Sequence, residues 1–75
     1  MSDTLDYIQK YSDILKSDEM KKLLSEVELS DIRDYWAALS KDLQVKVFLN
    51  LDLERKVDLI NDLSYNEQEN LIEVL

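Results

Sequence analysis

The chain contains no glycine, no proline, no cysteine and no histidine among its 75 residues. Without cysteine there is no disulfide, and Cys₄ and Cys₂His₂ zinc sites are excluded. Without histidine, so is any imidazole ligand. The same two absences remove nucleophilic catalysis by Cys–His and Ser–His–Asp arrangements. Without glycine the chain lacks the residue that takes positive φ at no steric cost. Tight hairpins and phosphate-cradling loops are therefore not expected. What remains is an all-α chain whose turns are made by serine, aspartate and asparagine. No apolar run approaches the ~20 residues that span a bilayer. The start, Met1-Ser2-Asp3-Thr4, lacks the basic and apolar regions of a signal peptide. The chain therefore reads as soluble and cytoplasmic.

At this length one small domain is expected, near the lower limit for a core that folds without staples. The available staples are helix packing, a hard-metal carboxylate site or a partner. Seventeen acidic residues against nine basic ones give a net charge of −8. The balance is −2 over residues 1–27 and −6 over residues 28–75. Such a surface repels phosphate backbones, so nucleic acid is not an expected partner. A basic protein surface or a hard divalent cation suits it.

What is present is a ladder with a step of twelve: Leu15, Val27, Leu39, Leu51, Leu63 and Leu75. Four and three residues before each later rung lie Leu23-Leu24, Tyr35-Trp36, Val47-Phe48, Leu59-Ile60 and Leu71-Ile72. Apolar residues at i, i+1 and i+4 place one stripe on a helix. The period is too short for a pair of helices, so each step is read as one helix.

The expected helices cover residues 4–16, 18–27, 31–39, 41–50, 53–62 and 65–74. Their N-caps are read as Ser2 or Asp3, then Ser17, Ser30, Ser40, Asp52 and Ser64, with Glu67 completing a capping box. Tyr7 and Ile14 widen the first stripe. Leu29 is read as a staple onto the third helix, and Met20 as core filler. Helix 4 carries Val45 and Leu49 beside Leu43, Val47, Phe48 and Leu51. Apolar on more than one face, it is expected to be buried at the centre. In helix 5, Leu53, Val57, Ile60 and Leu63 are expected to face inward, with Leu59 beside them.

The candidate chemistry is carried by carboxylates. Glu54, Asp58 and Asp62 are spaced by four and share one helical face, where they form a weak outer-shell site for a cation such as magnesium. A row of six short helices offers no cleft for acid–base work, so the chain reads as non-catalytic. Trp36, the only tryptophan, is read first as core, and with Tyr35 as a candidate interface anchor.

The run Glu28-Leu29-Ser30-Asp31-Ile32-Arg33-Asp34-Tyr35-Trp36-Ala37-Ala38-Leu39 resembles the H-P-A-D-I-A-E-L-L-E-E-L phrase of the cytoplasmic N-terminal domain of MgtE-type magnesium transporters. Leu51-Asp52-Leu53-Glu54-Arg55-Lys56-Val57-Asp58-Leu59-Ile60-Asn61-Asp62-Leu63 is similar to that domain's L-P-P-E-x-A-A-E-V-L-E-x-L repeat, and residues 64–75 to its next unit. The resemblance runs without gaps over residues 17–75. It departs where the family places proline at the first helical position, since Leu29, Lys41, Leu53 and Tyr65 occupy or adjoin those places.

The resemblance implies a right-handed superhelical array of five to six short helices with a twelve-residue repeat. It implies a regulatory, magnesium-sensing domain on the cytoplasmic side of the bacterial inner membrane. Its partners would be the CBS domains and the transmembrane domain of the same transporter, which associates as a homodimer through the full-length protein. One family acidic position falls on Asp58, with Glu54 and Asp62 as weaker candidates. The remaining family ligands lie outside these 75 residues, so this piece alone would hold an incomplete Mg²⁺ site. Leu75 reads as a point inside a longer array. A related repeat in the middle domain of the flagellar switch protein FliG supplies the alternative: a metal-independent helical scaffold for protein–protein contact, anchored by Trp36, Tyr35 or apolar surface near Leu75.

Overall fold

A computed structural model describes residues 3–75. The elements in order are α1 (Asp3–Tyr11), α2 (Ser17–Ser25), α3 (Leu29–Tyr35) with a 3₁₀ turn (Trp36–Ala38) continuing it, α4 (Lys41–Leu49), α5 (Leu53–Asp62) and α6 (Tyr65–Val74). Helices α2 to α6 begin at Ser17, Leu29, Lys41, Leu53 and Tyr65, each twelve residues after the last. The main packing pairs are α1 with α2, α3 with α5, and α4 with α6. From α3 onward a helix thus packs chiefly on its second neighbour. The whole measures 29 × 22 × 21 Å.

The N-termini follow from side-chain chemistry in the second half of the chain. Ser40, Asp52 and Ser64 each accept a hydrogen bond from the backbone N–H three residues on, at Leu43, Arg55 and Glu67. Glu67 returns the favour to the Ser64 N–H at 2.9 Å, closing the expected capping box. The first half differs from expectation. The caps of α2 and α3 are Lys16 and Glu28, not Ser17 and Ser30, and neither caps through its side chain. At α2 only the reverse half of a box forms, with the Lys16 N–H donating to Glu19 Oε1 at 3.3 Å. A lysine has no acceptor to offer the other half. Leu29 is the first residue of α3, not a staple before it. The Ser2 alternative for the first cap lies outside the described residues, and Asp3 opens α1 itself.

Four helices end earlier than expected, α4 by one residue. Helix α1 stops at Tyr11, because Ile14 N–H and Leu15 N–H both turn back onto the Tyr11 carbonyl. Ser12 and Asp13, poor helix formers, occupy that turn. Leu15 reaches the core from beyond the helix, while Ile14 swings out to solvent. Val27 and Leu39 likewise follow their helices. The rungs Val27, Leu39, Leu51 and Leu63 are therefore buried linker residues, anchoring each connection as it passes the core.

The core contains Leu5, Ile8, Met20, Leu24, Ile32, Trp36, Val47, Leu59 and Leu71 together with the rungs. Its columns change partway along the chain. In α2 and at the end of α3 the second residue of each apolar pair is buried, Leu24 and Trp36. In α4, α5 and α6 the first is buried instead, Val47, Leu59 and Leu71. Phe48 and Ile60 lie at the core's margin, and Ile72 is in solvent. One residue corresponds to 100° of helix rotation, so the later helices present a turned face to the core.

Two expectations fail for this reason. Helix α4 is not a fully buried centre, since Leu43 and Val47 are its buried residues and Leu49 is exposed. In α5, Leu59 points inward, whereas Leu53 is 78% and Val57 51% exposed. Truncating Leu71 to alanine should therefore cost about 3 kcal/mol, a typical loss for a buried leucine. Ile72→Ala should change stability by less than about 0.5 kcal/mol, as for an exposed site. Urea denaturation of the two variants distinguishes this from the uniform stripe, under which both would be costly.

Candidate functional site

A helix leaves four carbonyls at its C-terminus without intrahelical partners. The usual glycine-based end is absent, and no described residue has positive φ. Some are met by backbone N–H groups of the next turn, Leu24 by Val27 and Trp36 by Leu39, and long side chains from other elements add to these. Gln44 Nε2 donates to the Trp36 carbonyl at 2.7 Å. Gln68, at the same place two repeats later, donates to the Ile60 carbonyl at 2.6 Å. Arg55 donates to the carbonyls of Leu24, at 2.6 Å, and Val27, at the end of α2. Arg33 Nε donates to the carbonyl of Asp62, the last residue of α5, at 3.1 Å.

The Arg33 guanidinium also meets Glu67 in a two-pronged pair, Nη2 to Oε1 at 3.0 Å and Nη1 to Oε2 at 3.2 Å. The hydrogen bond from the Ser64 backbone N–H is the largest influence holding the Glu67 carboxyl below its ordinary value of 4.5. Burial opposes it as the next largest influence, and the Ser64 hydroxyl and then Arg33 add smaller effects that lower it. Sequence reasoning found the capping box but not its partner, because Arg33 is distant in sequence. The recurrence of glutamine at Gln44 and Gln68 was a readable signal for the carbonyl caps.

The acidic face expected on α5 is present and open. Glu54, Asp58 and Asp62 are all exposed. Successive members lie about 6 Å apart along the axis at 1.5 Å per residue. Among the described residues no three acidic side chains gather closely enough to hold a metal ion.

Beside this face runs an apolar strip that the sequence reading placed inside. Passing around α5 from the core, the order is Lys56, then Ile60, Leu53 and Val57, then Asn61, then Glu54, Asp58 and Asp62. Phe48 of α4 joins the strip. Together Phe48, Leu53, Lys56, Val57, Ile60 and Asn61 line a shallow depression. The Lys56 ammonium sits 5.8 Å from the Phe48 ring centroid.

The proposed aromatic anchors lie elsewhere. Trp36 is 1% exposed and belongs to the core, so its ring offers no surface to a partner in this conformation. Tyr35 is half-buried, and its hydroxyl donates to Asp6 Oδ1 at 3.3 Å. Among the described residues no helix is long and apolar enough to cross a membrane. Compared with models of protein families, with curated proteins and with solved structures, the chain has no match of any of the three kinds.

The Arg33–Glu67 pair is partly exposed, at 34% and 23% of the two side chains, so its worth is on the scale of about 1 kcal/mol. Because the Glu67 carboxyl is depressed, its contribution is complete above the ordinary carboxylate value and is lost as pH falls through the folded one. Glu67→Gln keeps a capping side chain but not the charge. Its melting temperature should lie below that of the unaltered chain at pH 7, and thermal scans at falling pH should show the gap closing below the ordinary carboxylate value.

Proposed function

We propose that the chain is a regulatory, magnesium-sensing domain of a magnesium transporter, acting without catalysis. The reading rests on the resemblance of residues 17–75 to the cytoplasmic domain of MgtE-type transporters. The observation in the structure that favours it is the open carboxylate face of α5, with Asp58 at its middle. The twelve-residue spacing of helix starts and the second-neighbour packing support a right-handed superhelical array as the finer description of the fold.

In this reading the mechanism is electrostatic. Like charges four residues apart on a helix cost a few tenths of a kcal/mol per pair. Glu54, Asp58 and Asp62 would also repel an acidic neighbouring domain. Divalent cations held through their water shells reduce both repulsions and favour the associated state. The neighbours would be the CBS domains and membrane domain of the same transporter, at the cytoplasmic face of the bacterial inner membrane, within a homodimer of the full-length protein.

A second reading, a metal-independent scaffold comparable to the middle domain of FliG, is favoured by a different observation. Leu53, Val57, Tyr65 and Ile72 present apolar surface to solvent on successive helices. Isolated exposed apolar residues are ordinary, but Leu53 and Val57 line one depression with Phe48 and Ile60, and adjoining apolar residues of this kind suit a contact surface.

Magnesium titration followed by amide chemical shifts separates the two. The sensing reading expects shifts concentrated between Glu54 and Asp62 at millimolar magnesium, reduced in Asp58→Asn. Shifts spread evenly over all acidic residues, and matched by potassium chloride of equal ionic strength, would leave the scaffold.

A further inference from the structure

The exposed strip on α5 has a definite shape and an asymmetric electrostatic edge. Leu53, Val57 and Ile60 stand at i, i+4 and i+7, covering about 10 Å of helix length. Phe48 forms the opposing wall from α4, so the depression follows the line between two helices. Its outer edge is the carboxylate row beginning at Glu54 and Asp58, and its inner edge carries Lys56.

The repeat gives a reason to regard this strip as uncovered. Leu24, Trp36, Phe48, Ile60 and Ile72 hold one place in successive repeats. The first two are 1% exposed, the next two half-buried, and Ile72 is 66% exposed. Positions whose equivalents are packed in the first half of the chain thus lose cover in the second. The apolar character of the sequence is maintained where the structure packs it only at the core's margin, at Phe48 and Ile60, or leaves it in solvent, at Ile72.

The charges decide what fits. A second copy brings another net charge of −8 to a chain that already carries −8. In an antiparallel two-fold pairing through α5, each acidic edge would face its own counterpart, since the two-fold axis keeps that edge on the same side. Like charges in register oppose such an interface. A helix with apolar residues at i, i+3 or i+4 and i+7, and lysine or arginine along one border, meets both features. Its apolar face fills the depression, and its cations face Glu54 and Asp58. Helix-in-groove recognition works in this way, with the apolar anchors supplying affinity and the charges fixing orientation.

We propose that the face of α5 bounded by Phe48 and the Glu54–Asp58 edge is a docking site for a basic amphipathic helix of a partner protein. This rests on the scaffold reading, as a docking surface, and does not involve magnesium.

The test uses the 75-residue chain in EDTA and a fluorescein-labelled 18-residue peptide with leucine on one helical face and lysine elsewhere. Fluorescence anisotropy should show saturable binding, weakened at least tenfold by Leu53→Glu. That variant changes an exposed side chain, and circular dichroism confirms its fold. The pair Glu54→Lys with Asp58→Lys should weaken binding to a similar degree. Asp13→Lys with Asp18→Lys, the same change of net charge at exposed sites remote in sequence, should weaken it less than threefold.

Equal binding of a scrambled peptide of the same composition, or equal losses from both lysine pairs, would show bulk charge attraction and overturn the site. Equal or tighter binding of the leucine–glutamate version would overturn the partner's chemistry while leaving a docking face. A dimer in sedimentation that Leu53→Glu disrupts would place a second copy there instead. No binding of any peptide overturns the proposal and removes support for the scaffold reading with it. A negative magnesium titration would touch neither.

Discussion

Backbone carbonyls at helix ends must find donors, and this chain has no glycine to take the positive φ of the usual helix end. That constraint shapes the rest of the structure. Six helices in 73 described residues produce many ends close together. An unmet buried carbonyl costs on the order of 1–3 kcal/mol, a large fraction of what a domain this small can accumulate. The response is twofold: backbone N–H groups that close a tight last turn, and long polar side chains that leave one helix to serve another. Gln44, Gln68, Arg33 and Arg55 do this. Lys46 reaches the carbonyl of Ser12, beyond the end of α1, at 3.4 Å. The charge of these residues is secondary to their reach and their donors.

Much of the fold was legible in the sequence because its sources are local. The twelve-residue step, the serine and aspartate caps of the last three helices, and the burial of Met20 and Trp36 follow from spacing and side-chain type. What could not be read was the rotation of the later helices. A stripe at i, i+1 and i+4 covers more than one sector of a helix, and either member of the pair can point inward. Val47, Leu59 and Leu71 were chosen over Phe48, Ile60 and Ile72 by tertiary packing. The early end of α1 is local instead, a turn at Ser12 and Asp13 closed onto the Tyr11 carbonyl, after which Leu15 still packs against the core.

The candidate surface was legible in part. Glu54, Asp58 and Asp62 were identified as one face from their spacing alone, and their exposure follows from the charge. The apolar strip next to them was assigned to the interior, because apolar periodicity normally reports a core. Leu53 and Val57 satisfy that pattern and remain outside. A periodic stripe shows that a surface is suited to burial. It does not say whether the covering element belongs to the same chain.

The cross-helix caps have a consequence for how this protein can be altered. In most one-dimensional repeat arrays, units interact with immediate neighbours and can be added or deleted with local effects. Here Arg55 serves carbonyls 31 and 28 residues earlier, and Arg33 serves one 29 residues later. Removing any single twelve-residue unit between α2 and α6 shifts donors and acceptors out of step over two or more helices. The repeat is modular in its spelling and indivisible in its bonding. Gain or loss of a whole unit would break bonds at more than one helix end.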